Sequence, residues 1–88
     1  MQAEWEGVVR MVLYPVIFEK DPLQAVDRVV DALQHKTLAK VTVDETLAAL
    51  QQALQSPMPL AALLPQNHTE EMVRLYLAEV RQRLLALP

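Results

Sequence analysis

The chain contains no cysteine, so a disulfide framework, a thiolate metal site and a thiol nucleophile are all excluded. Stability must come from packing or from a partner, in a setting compatible with a reducing cytoplasm. Glycine is nearly absent: Gly7 is the only one. An all-β domain would need several glycine-bearing tight turns, and a glycine-rich phosphate loop cannot be built from one residue. Aromatic residues make up only 5 % of the chain. Positive charge is scarce too, since eight basic against eleven acidic residues leave a formal charge of -3. Such a balance gives no footprint for phosphate backbones, so no nucleic-acid partner is expected. The longest apolar runs, 11–18 and 57–65, are about half of what crosses a bilayer and contain prolines, so no membrane partner is expected either. The acidic first residues, Met1 to Glu6, lack the pattern of a secretory signal, which favours a cytoplasmic location.

What is present is a high apolar fraction, 52 % against 22 % charged, in 88 residues. That composition folds, and the length suits one domain over residues 1–88 that buries about 60 to 65 % of its unfolded surface. The pattern predicts an all-α, four-helix bundle-like domain with a short helical turn between the third and last long helices. A first helix is expected from Ala3 to Tyr14, with Trp5, Val8, Val9 and Val12 at helical spacing and a break or kink at Pro15. Its continuation, Met11 to Phe18, is rich in β-branched and aromatic residues and is also compatible with an extended buried segment. Asp21 before Pro22 signals a second helix. Leu23, Val26, Val29, Val30 and Leu33 form its inner stripe, Asp27, Arg28, Asp31 and His35 its outer face, and it should end near Lys36, with Thr37 to Val41 as the connection.

Thr42-Val43-Asp44-Glu45 has the form of a capping box and opens a third helix. Val43, Leu47, Leu50 and Leu54 are its expected inner positions, and Ser56-Pro57 ends it. Leu60 to Leu64, bracketed by Pro57, Pro59 and Pro65, reads as a buried helical turn. The last helix should start at Asn67 or Thr69, pair Glu70 with Arg74, and run to about Leu87. Val73, Leu77, Val80, Leu84 and Leu87 face the core, flanked by Tyr76 and Met72. Leu75 and Leu85 fall on the far side.

No residue constellation carries a recognisable chemistry. His35 and His68 lack metal-ligand spacing and suit surface roles, and the acids suit caps, first turns and polar faces. No metal, cofactor or catalytic activity is therefore expected. Asn67-His68-Thr69 matches a glycosylation acceptor, but the capping role explains it better. A helix-turn-helix is disfavoured because the third helix has no Arg, Lys or Asn and two acids at its start.

The apolar excess points instead to protein contact. Trp5, Met11, Tyr14, Ile17 and Phe18 on the first helix and its continuation, with Leu75 and Leu85 on the last, are the candidate partner-binding residues, and a second copy of the chain is the first partner to consider. Trp5 and Tyr14 are the natural anchors. The alternative is a small acidic inhibitor of a basic protein, of the immunity-protein or antitoxin kind, acting through Asp27, Asp31, Asp44 and Glu45.

Overall fold

The structure, a computed structural model, describes residues 4–35 and 41–87. Four α-helices, α1 (Glu4–Leu13), α2 (Val26–Gln34), α3 (Val43–Gln55) and α4 (Glu70–Leu85), are joined by 3-10 turns at Tyr14–Val16, Pro22–Ala25 and Leu60–Leu63. The all-α, bundle-like fold is thus what the pattern implies. Helix α3 packs against α1 and α4, and α4 packs in turn against α2.

Helix α1 does not become extended at Pro15. It tightens into a 3-10 turn through Val16, with proline in the first helical positions, where no N–H is needed. Val9, Val12, Leu13 and Val16 are buried along this continuous inner face. Two carbonyls near its end accept from side chains of the fourth helix and the loop before it, the Val16 carbonyl in addition to accepting from the Glu19 amide. The Tyr76 hydroxyl donates to the Val12 carbonyl at 2.7 Å, and the His68 Nε2–H donates to the Val16 carbonyl at 2.8 Å. His68 is therefore half-buried and ties α4 to α1, rather than serving only as a surface residue. Burial pushes the Tyr76 hydroxyl above the ordinary tyrosine range, although the nearby Arg28 charge acts against it.

Asp21 caps the second helical segment by accepting from the Leu23 amide at 3.1 Å, with Pro22 next to it, as read from the sequence. Its first turn is 3-10, and the α geometry begins at Val26 and ends at Gln34. The expected end at Lys36 and the Thr37–Lys40 part of the connection lie outside the described residues, as do Ala3 and Pro88. The capping box at Thr42 is complete: the Glu45 amide donates to the Thr42 hydroxyl at 3.0 Å, and the Thr42 amide to the Glu45 carboxylate at 3.1 Å.

The inner face of α3 differs from the apolar stripe. Thr46, Ala49, Leu50 and Ala53 are buried, while Val43, Leu47 and Leu54 lie half-buried along one edge. Small residues at the centre let α1 come close, and Ala48 and Ala49 border Trp5 and Val8. Thr46 is fully buried without penalty because its hydroxyl donates to the Thr42 carbonyl at 2.9 Å.

The proline-rich connector is held by one ion pair. Glu70, in the first turn of α4, accepts from the amides of Leu60 at 2.9 Å and Ala61 at 2.8 Å, and pairs with Arg74 at 2.8 Å. Arg74 donates onward to the carbonyls of Leu54, Ser56 and Met58. The i, i+4 pair read from the sequence is thus also the clamp that satisfies the end of α3 and the start of the 3-10 turn. Helix α4, capped by Thr69, buries Val73, Tyr76, Leu77, Val80 and Leu84 and ends at Leu85, with Leu87 packed beyond it.

Candidate interaction surface

The seven candidate residues divide sharply by exposure. Trp5 and Met11 are half-buried on α1, and Trp5 packs against the core beside α3. Ile17 is half-buried in the turn that follows Val16. Leu13, which adds to the apolar girdle of the first helix, is only 1 % exposed. Core formation therefore takes up most of the apolar excess of this segment. Tyr14 and Phe18 remain outside, at 65 % and 91 % exposure.

Trp5 and Tyr14 are nine positions apart, about 13 Å of axial rise, so the two proposed anchors sit at the start of α1 and just past its end. They do not form one patch. Phe18 lies at the far end, where Ile17, Glu19, Lys20, Asn67 and His68 line a depression of about 300 Å³. The hydrogen bond from His68 to Val16 holds the two sides of this depression together. Trp5 lines a separate depression of about 220 Å³ with Val8, Glu45, Ala48, Ala49 and Gln52. Both are open to solvent, and their volumes lie at or below the lower end of the roughly 300–1,000 Å³ of the clefts that bury small molecules.

Leu75 and Leu85, 47 % and 52 % exposed, form a second apolar feature on the outer side of α4. Ala78 and Gln82 are exposed with them, and so is Glu71. Their spacing, 4-3-4-3 from Glu71 to Leu85, is a sequence signal that picks out one side of a helix, and it adds Ala78 and Gln82 to the candidate surface.

The acidic side chains are largely engaged within the chain. Asp27 pairs with Arg83 across α2 and α4, Glu19 with Arg28 at 3.2 Å, and Asp31 with His35 at 3.3 Å. Glu6, unforeseen as a core residue, is 8 % exposed and lies 3.8 Å from Arg10, whose Nε–H reaches the Leu63 carbonyl. Glu70 is held below its ordinary range. Burial alone would raise it, but the amides of Ala61 and Leu60 and the Arg74 guanidinium together outweigh that cost. Among the described residues no group of three His, Cys, Asp or Glu is placed to hold a metal ion, and no helix is long and apolar enough to cross a membrane.

Compared with known protein families, with curated proteins and with solved structures, the chain matches none.

Proposed function

We propose that this protein is a small, non-catalytic helical interaction domain that associates with a second copy of itself. The observation that carries the reading is the exposure of Phe18 and Tyr14, at 91 % and 65 %, in a fold that has already built its core. The radius of gyration, 11.7 Å, is close to the roughly 12 Å of a compact chain of this length, so the single chain is already compact. Phe18 is then surplus to folding. Burying it against a partner would contribute about 1.5 to 3 kcal/mol. A cytoplasmic setting is part of this reading, because a cysteine-free domain needs no oxidising compartment.

An acidic inhibitor of a basic protein is less well supported. Of the four acids that would form its contact face, Asp27 is paired with Arg83, Asp31 with His35, and Glu45 completes the capping box. The test is the absolute mass in solution by light scattering after size exclusion, over a concentration series. The mass of the native chain should rise toward twice the monomer, and Phe18→Lys with Tyr14→Lys should lower that association while leaving the helical circular dichroism unchanged. A native chain that stays monomeric at high micromolar concentration would sink the proposal.

A further inference from the structure

The notch between α1 and α3 has a lining of two kinds. Trp5 and Val8 of α1 and Ala48 and Ala49 of α3 make its apolar walls, and Glu45 and Gln52 flank the alanines along α3. Its volume, about 220 Å³, suits one side chain. Glu45 is exposed and spends one carboxylate oxygen, Oε1, on the Thr42 amide. Its other oxygen accepts no hydrogen bond among the described residues.

Charge on the two helices that wall the notch decides the sign of its occupant. Together α1 and α3 hold four acids, Glu4, Glu6, Asp44 and Glu45, against one base, Arg10, so their formal charge of -3 equals that of the whole chain. Arg10 is taken up elsewhere: its Nε–H reaches the Leu63 carbonyl and its guanidinium lies 3.8 Å from Glu6. An acidic side chain entering the notch would be repelled. An apolar one would strip water from the Glu45 carboxylate and return no hydrogen bond. A basic side chain joins an apolar stem to a charged end, the same two parts that line the notch. Tryptophan is also the aromatic side chain that attracts a cation most strongly.

We propose that this notch receives one lysine or arginine side chain from a basic protein other than a second copy of the chain. The methylene stem lies along Trp5, Val8 and the two alanines, and the cationic end meets the free oxygen of Glu45, with the Gln52 amide oxygen as a second acceptor. A second copy is disfavoured here because it brings a like net charge toward the most acidic pair of helices. The notch is separate from Phe18 and Tyr14, so it goes beyond self-association and does not depend on it.

Trp5 is the only tryptophan, so its emission reports on the notch directly. The probe is acetyl-trilysine amide, titrated at low ionic strength against the same peptide with its side-chain amines acetylated, which keeps the stems and removes the charge. Glu45→Gln removes the carboxylate while preserving the capping box, since glutamine serves at that position. Glu71→Gln removes an equal charge from an exposed site on α4 that does not line the notch. Native emission should change to saturation with the trilysine peptide and not with the acetylated one. Glu45→Gln should bind it about threefold more weakly, Glu71→Gln as the native chain does, with helical circular dichroism unchanged in both. No change in native emission, or equal binding of the acetylated peptide, would overturn the assignment. Equal weakening in the two variants would overturn it too, by showing attraction to the overall charge. Light scattering separates the site from self-association: Glu45→Gln should match the native mass at every concentration, and a lower mass would give the notch to a second copy and refute the proposal.

Discussion

Replacing Glu70 by glutamine keeps the size of the side chain and removes its charge, in a clamp that joins α4, the end of α3 and the connector through Arg74. The native carboxylate accepts from two amides and from the Arg74 guanidinium. Glutamine offers one oxygen, so its NH2 group must face either an amide N–H or the guanidinium, and one charge-assisted bond is lost outright. Hydrogen bonds to charged groups contribute about 1.5 to 3 kcal/mol each. The Glu70 side chain is 37 % exposed, so solvent screening puts the cost near the lower end, about 1.5 to 2 kcal/mol. That is a large share of the stability of a domain this small, of order 5 to 10 kcal/mol, and corresponds to a fall in Tm of about 6 to 16 °C. The pH dependence gives a second readout. Because the folded carboxyl titrates below its ordinary value of 4.5, the folded state binds fewer protons than the unfolded chain in that window. Its contribution is fully present above 4.5 and is lost as the pH falls through the lower, folded value. Urea unfolding at neutral pH and at several steps below 4.5 should show a lower midpoint for Glu70→Gln at neutral pH and a shallower loss on acidification. Equal midpoints, or parallel acid profiles, would refute the assignment of Glu70 as the clamp.

Two further changes probe α1 and its attachment. Tyr76→Phe leaves the Val12 carbonyl without its buried donor and should cost about 1 to 3 kcal/mol by chemical denaturation. Since burial raises the Tyr76 hydroxyl above its ordinary 10.0, the native protein should also lose stability as the pH climbs past that value, and the variant should lose less. Gly7→Ala, at an exposed position inside α1 where an added Cβ meets nothing within 4 Å, should stabilise the fold by about 0.5 to 1 kcal/mol, read as a higher urea midpoint.

The helix starts were legible because they are local. Asp21-Pro22, Thr42 with Glu45, and Thr69 each satisfy amides within three residues, and such bonds are favoured by local residue order without help from distant parts of the chain. The inner face of α4 was legible for a similar reason, since five large apolar side chains on one line leave a single way to bury them. Helix α3 was less legible. Beside Leu50 its inner face is made of alanine and threonine, which carry little hydrophobic signal, and only packing against the other helices shows that these positions are buried. The candidate surface was legible in outline, with Leu75 and Leu85 exposed as their helical angles imply. Trp5, Met11 and Ile17 were not separable by sequence from Tyr14 and Phe18, because all five are apolar and lie along one segment.

The sequence by itself therefore determined the helical class, the capped starts, the proline breaks and the apolar side of each strongly patterned helix. These depend on contacts a few residues apart and on the 3.6-residue period. Tertiary structure decided which carbonyls Tyr76, His68 and Arg74 satisfy, how much of the Glu70 carboxylate's burial is compensated, and which aromatic side chains remain in water. Each of those outcomes depends on groups brought together from distant parts of the chain, 64 residues apart for Tyr76 and Val12, and such meetings are set by how the helices pack rather than by local order.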